Sequence, residues 1–281
     1  MDTLVQALVM GVVQGLTEFL PVSSSGHLIL VPYLLGWDDP FIESLAFSVM
    51  LHLATLLALL LYFRADWLRL IPAGLAAIRD RSLRDDPDRR LAWLLVVATI
   101  PAVIAGVLLN DPIETAFRSP ALVGLTLVVG AAILWLADRL GSRDKGVDGV
   151  TFPVALGIGA AQALALVPGI SRSGISISAG RFAGLDREAA ARFAFLMATP
   201  ITAGAGAWET LKILRGAAGV EVALGPLLVG MAAALVAGLA AISLTLRYLR
   251  THPLTVFAVY RVALAAVVLV AWLGLWDRPG G

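Results

Sequence analysis

The sequence predicts an all-α polytopic membrane protein made of two inverted-topology repeats, each a re-entrant helical hairpin followed by three transmembrane helices. Three observations predict it. The 281-residue chain is 59% hydrophobic and 15% charged, with a positive mean hydropathy, far more apolar than a soluble domain of that length requires. Two of its long apolar stretches are broken midway, by "PVSSSGH" and "PGISRSG". The pattern "GxxQ…SxSG" occurs twice, 148 residues apart.

Taken in chain order, residues 4–35 are long enough to cross a hydrocarbon core of about 30 Å, for which a helix needs roughly 17 to 25 residues. The break at Pro21 to His27 makes a hairpin the better reading. Uninterrupted spans are expected at 44–63, 91–109 and 121–137. Between the first two, "RADWLRLIPAGLAAIRDR" reads as an amphipathic helix anchored at the interface by arginine and tryptophan, and "LRDDPDRR" as a mixed-charge loop without chemistry. The second half begins with another broken stretch, 152–184, followed by spans at 192–211, 224–246 and 256–276. Non-helical backbone at membrane depth is tolerated only where protein or a water-filled cavity surrounds it. Two such breaks therefore imply a buried polar cavity.

If both hairpins return to the side where they begin, the six spans alternate. Of the 21 Lys and Arg, 15 then fall in 64–90, 138–150, 181–192 and 247–253 on one face, and four on the other. By the positive-inside rule the sparse face is outside, together with both termini and the acidic "WDDPFIE". An arrangement in which all eight stretches span is the alternative. "MDTLVQALVM" carries Asp2 where a signal peptide has positive charge, so this segment is expected to be retained. The net charge of +1 argues against a nucleic-acid partner, and the absence of cysteine excludes a disulfide framework and thiol chemistry.

The shift of 148 residues carries Gly11 onto Gly159, Gln14 onto Gln162, Ser23 onto Ser171, Ser25 onto Ser173 and Gly26 onto Gly174. Repeat one would cover about 1–148 and repeat two about 149–281 of a single membrane domain. A hairpin plus three spans is an odd number of crossings, so the second copy is inverted, and inverted repeats bring their broken segments together near the midplane. One site would then form from Ser23 to His27 and from Ser171 to Ser173. It is asymmetric: Glu18 falls on Leu166, His27 on Ile175 and Ser24 on Arg172.

Gln14 and Glu18, four residues apart, share a helical face, and a carboxylate among Leu16, Phe19 and Leu20 at membrane depth is costly unless it serves a function. Ser23, Ser24, Ser25 and Gly26 on one side, and Ser171, Ser173, Gly174 and Ser176 on the other, place hydroxyls and close-approach glycines at turns that open half-helices. Such turns direct N–H groups inward and attract anions. Taken singly, any of these serines could merely satisfy backbone groups in a broken helix. Arg172 adds a fork of donors suited to phosphate, and His27 a general acid or base, or a nucleophile. Together they point to phosphoryl transfer, with Glu18, and Gln14 beside it, helping to hold a divalent cation on a pyrophosphate. Oxygen donors suit Mg²⁺ or Ca²⁺; no Cys and three His argue against zinc. Gln162 and His52 are further candidates for the cavity, and Arg261 is an intramembrane charge with no evident partner.

These residues resemble a known family. "QGLTEFLPVSSSGH" and "PGISRSGIS" are similar to the two signature motifs of the bacterial undecaprenyl-diphosphate phosphatases of the bacitracin-resistance type. The first is Glu or Gln, Glu four residues on, then Pro-x-Ser-Ser-x-Gly-His; the second is Pro-Gly-x-Ser-Arg-Ser. The resemblance implies an enzyme of the bacterial cytoplasmic membrane, open to the outer side. It would take a polyprenyl diphosphate lipid and regenerate the monophosphate carrier for cell-wall synthesis. It also implies Ser24 as nucleophile, His27 as acid/base partner, Arg172 as the phosphate-binding arginine and Glu18 as the acid associated with metal, with serine or histidine left open as the attacking group. Gln14 stands where many members have Glu, and Ser176 where many have Thr. A polyprenyl-phosphate flippase is the alternative function, since inverted repeats with broken helices are also a transporter design. A lipid phosphatase of the vanadium-peroxidase-like class lacks support, because its later arginine and histidine motif is missing. The oligomeric state is left open.

Overall fold

The computed structural model describes residues 2–83, 86–116, 119–141, 145–215 and 222–275, and among these the chain is helical with no strand. The first hairpin is α1 (Thr3–Phe19) and α2 (Ser24–Leu35), followed by α3 (Leu45–Tyr62), α4 (Arg64–Asp80), α5 (Pro87–Ala116) and α6 (Pro120–Leu140). The second is α7 (Phe152–Ala163) and α8 (Arg172–Phe182), followed by α9 (Arg187–Leu214), α10 (Leu224–Leu249) and α11 (Thr255–Trp272). Five helices, α3, α5, α6, α10 and α11, are long and apolar enough to cross a membrane. The sixth expected span is the 28-residue α9. Large apolar side chains such as Val107, Leu125, Val236 and Leu269 stay exposed on their outer faces, which suits a hydrocarbon solvent.

Local chemistry sets the boundaries. Leu20 leaves the helical region ahead of Pro21, as residues preceding proline do. Gly36, at φ 64°, closes α2 in the left-handed conformation, and the Ser44 hydroxyl accepts from Phe47 N–H at 3.0 Å to start α3. Two spans begin earlier than expected because aspartates cap them. Asp86 Oδ1 accepts from the N–H groups of Asp88 and Arg89, drawing "PDRR" into α5; Asp186 Oδ1 accepts from Ala189 N–H, starting α9 at Arg187. The expected interfacial helix is α4. It exposes Leu68, Ile71, Leu75 and Ile78 on one face and buries Asp66 against Arg69 and Arg192 on the other.

The first arm of each hairpin packs on a helix of the other half and leaves its opposite face exposed. The main neighbour of α1 is α10, and that of α7 is α5. Both approaches are backbone to backbone: a Cβ added at Gly11 would collide with the Gly230 carbonyl, and one at Gly159 with the Ala98 carbonyl. Beneath the tips lies the main core, in which Phe19 meets Phe195 edge to face at 5.5 Å and Phe63, Phe193 and Met197 are fully enclosed. Asp39 ties the α2–α3 connection to the start of α1, accepting from the Thr3 hydroxyl at 2.6 Å and from Phe41 and Ile42 N–H. Burial acts to raise its carboxyl, but these three donors hold it below the usual range.

Candidate active site

Each hairpin turns on a serine in a strained conformation. Ser23 and Ser171 both have φ 77°, a left-handed value that costs energy for a residue carrying a Cβ. In each case the reward is a capped half-helix. The Ser23 hydroxyl accepts from Gly26 N–H at 3.3 Å and lies 3.4 Å from the Ser25 hydroxyl. The Ser171 hydroxyl accepts from Gly174 N–H at 3.1 Å and lies 3.2 Å from the Ser173 hydroxyl. The first N–H groups of α2 and α8 are thereby fixed at the tips, with the positive ends of both helix dipoles.

The tips touch. Ser173 donates to the Leu20 carbonyl at 3.1 Å, and a Cβ at Gly26 would lie 3.6 Å from Gly169 Cα. The polar link between them is Glu18, 8% exposed, whose carboxylate collects four groups. Arg172 pairs with its Oε1. Ser24 donates to Oε2 at 2.6 Å and Gln14 Nε2 to the same oxygen at 3.1 Å, while His52 Nε2 stands 3.5 Å away. The other end of the Arg172 fork, Nη1, donates to the Thr202 hydroxyl at 2.7 Å, which itself donates to the Ala198 carbonyl at 2.9 Å. One buried carboxylate thus holds a serine hydroxyl and an arginine guanidinium side by side.

His27 follows Ser24 by one helical turn but points elsewhere. Its Nδ1 lies 2.7 Å from the Ser23 carbonyl, which can only accept, so Nδ1 carries the proton; Nε2 lies 2.7 Å from the Tyr260 hydroxyl. The hydroxyl partner of Ser24 is therefore Glu18, not the imidazole. Ser176 is buried and its hydroxyl finds no hydrogen-bond partner among the described residues. Gln162 is 3% exposed, with both amide atoms likewise unpartnered, and it does not line the cavity.

That cavity, about 730 Å³, lies between the α2–α3 connection and α9, with Ser25, Trp37, Glu43, His52, Arg172 and Thr202 in its wall. A volume of this order suits a small ligand or headgroup. Sequence reasoning missed Thr202 and Tyr260. A threonine in "MATPITAG" has nothing to distinguish it from the other hydroxyls of a span, whereas the neighbour of Tyr260, the intramembrane Arg261, was a usable signal.

A divalent cation finds one carboxylate here, already facing a guanidinium, and one buried amide oxygen, Gln14 Oε1, which has no hydrogen-bond partner among the described residues. No group of three or more His, Cys, Asp or Glu forms a metal cage among those residues. The donor set fits an ion that takes most of its ligands from a bound diphosphate.

Known proteins resemble the chain along nearly its whole length. It is 50% identical to the undecaprenyl-diphosphatase of Gemmatimonas aurantiaca, over 95% of its own length and 97% of that protein. It is 45% identical to that of Desulforudis audaxviator, over 94% and 96%, and 46% identical to that of Moorella thermoacetica, over 96% and 99%. Residues 7–267 match the family profile described as bacitracin resistance protein BacA, and the chain belongs to that family.

Proposed function

We infer that this protein is an undecaprenyl-diphosphatase: it hydrolyses undecaprenyl diphosphate to undecaprenyl phosphate and inorganic phosphate, returning the lipid carrier to cell-wall synthesis. The observation that carries the chemistry is the Ser24–Glu18–Arg172 arrangement where the two half-helix N-termini meet. The terminal phosphate would sit on the N–H groups opening α2 and α8, with Arg172 against its non-bridging oxygens. Glu18 takes the proton as Ser24 Oγ attacks phosphorus, the anhydride P–O bond breaks, and the lipid monophosphate leaves with the bond electrons. Water then cleaves the phosphoserine. We assign the acid/base work of that second step to His27. This choice of nucleophile is supported by the occupancy of His27 Nε2 by Tyr260 and of the Ser24 hydroxyl by a carboxylate.

Mg²⁺ or Ca²⁺ bound with the diphosphate would be held by Gln14 Oε1 and Glu18, supplying charge neutralisation. A chelator is expected to depress phosphate release, and Gln14→Glu to lower the cation concentration needed to restore it.

The inverted-repeat reading is supported by the matching φ at Ser23 and Ser171, by the matching caps, and by the reciprocal packing of α1 on α10 and α7 on α5. An outward-facing site with both termini outside is supported by the cavity wall, which takes in the acidic α2–α3 connection from the face poor in Lys and Arg. The deciding experiment is phosphate release from a polyprenyl diphosphate by protein purified in detergent. Wild type should turn over; Ser24→Ala and Arg172→Ala should each lose orders of magnitude in kcat. Full turnover by both variants would remove the catalytic assignment.

A further inference from the structure

Two adjacent residues of the last helix reach the two hairpin tips. Tyr260 places its hydroxyl 2.7 Å from His27 Nε2 on the first tip, with the two rings near parallel at 4° and their centroids 5.7 Å apart. Arg261, fully buried, sends Nη2 to the carbonyls of Gly169 (2.6 Å) and Ile170 (2.9 Å) on the second. Its guanidinium passes the point where a Cβ on Gly130 of α6 would stand, and its Nη1 lies 3.1 Å from where a Cβ on Gly174 would be. A buried guanidinium with two carbonyl acceptors and no carboxylate among the described residues is a costly group to retain for packing alone. Here it fixes the turn that presents Ser171 and Arg172, and it locks the register of α11, so that Tyr260 has one place to go.

The hydrogen-bond inventory of His27 then closes. Nδ1–H is committed to the Ser23 carbonyl, so the neutral ring has a lone pair on Nε2, and the tyrosine hydroxyl donates to it. The carbonyl sets the tautomer; the hydroxyl prevents the ring from turning about its Cβ–Cγ bond and keeps the basic nitrogen at one position. We propose that Tyr260, anchored through Arg261, is a positioning residue for the phosphatase reaction that holds the His27 imidazole in one tautomer and one orientation. This rests on the undecaprenyl-diphosphatase reading given above.

The test uses the full-length protein in detergent with Tyr260→Phe, which removes one oxygen and keeps the ring. Two readouts are taken: kcat and KM for phosphate release from a polyprenyl diphosphate, and the ¹⁵N imidazole spectrum. The latter is tractable because the chain has three histidines, assigned by His52→Gln and His252→Gln. The variant is expected to lose about tenfold in kcat with KM within about twofold, the size typical of outer hydrogen-bond partners. The unprotonated nitrogen of His27 should shift toward the position of a free lone pair while the other two histidines stay in place. Wild-type kcat in Tyr260→Phe overturns the proposal, and so does an unmoved His27 resonance. If the wild-type protein itself releases no phosphate, the phosphatase reading falls instead, and the spectrum alone still decides whether Tyr260 holds the imidazole.

Discussion

Glu18 is the residue on which the two halves of the site depend, because one carboxylate serves both as acceptor for the Ser24 hydroxyl and as counter-ion for Arg172. Replacing it by an isostere separates those roles from its shape. Glu18→Gln keeps a partner for Ser24 but cannot take its proton, and releases Arg172 toward the phosphate. The expected result is a kcat lower by about 10²–10⁴-fold, the usual worth of a positioned general base, with KM unchanged or lower. Near-normal kcat would show that another group deprotonates the serine. Glu18, Ser24 and Arg172 stand out in the sequence, since polar groups in an apolar chain are conspicuous, and the structure brings them into contact. Their pairing was not legible there. His27, three residues from Ser24, looked like its natural partner, yet the helical turn carries the imidazole to Tyr260, more than 200 residues away in the chain. Thr202 was invisible for the same reason: a contact between α9 and α8 leaves no trace in the local pattern of either.

At the scale of the helices, apolar length located a helix at each expected span, five of them long and apolar enough to cross a membrane among the described residues, and what it misjudged were the ends. Side-chain caps such as Asp86 and Asp186 recruit polar residues into a helix that hydropathy assigns to a loop. The glycines of the hairpin arms divide into two kinds that the sequence does not distinguish. Gly159 sits on the backbone of α5, where a Cβ would strike the Ala98 carbonyl; Gly157, two residues earlier on α7, has nothing within 4 Å of the point where a Cβ would stand. Gly159→Val should therefore overpack the α5–α7 contact and cost about 1–3 kcal/mol or more, lowering the thermal midpoint in detergent. Gly157→Ala should be neutral or raise it, since alanine favours a helix over glycine by up to about 1 kcal/mol. Equal midpoints for the two variants would mean that α7 does not pack against α5 as described. The same contrast bears on the site, because α7 carries the second hairpin into the bundle.

Across the whole molecule, the helices meet in a pattern that survives exchanging the two halves: α3 meets α9, α6 meets α11, and α1 on α10 has its counterpart in α7 on α5. Exchange of halves leaves one element over, α4, which belongs to the first half only and lies against α5. The symmetry stops at the cavity, whose wall draws on the α2–α3 connection and on α9. The charge asymmetry predicts an outward-facing cavity, and the prediction can be tested directly because the chain lacks cysteine and any introduced thiol is unique. Asp38 is exposed in the cavity wall, in a connection without Lys or Arg; Asp148 is exposed in the 3₁₀ turn before α7, in a connection that carries several. A membrane-impermeant maleimide added to intact bacterial cells should label Asp38→Cys after the outer barrier is permeabilised, and should reach Asp148→Cys only once the cytoplasmic membrane is breached. The reverse pattern would turn the cavity toward the cytoplasm. Equal labelling of both in sealed cells would put them on one side, and would mean that an even number of segments crosses between them in place of the three spans α3, α5 and α6.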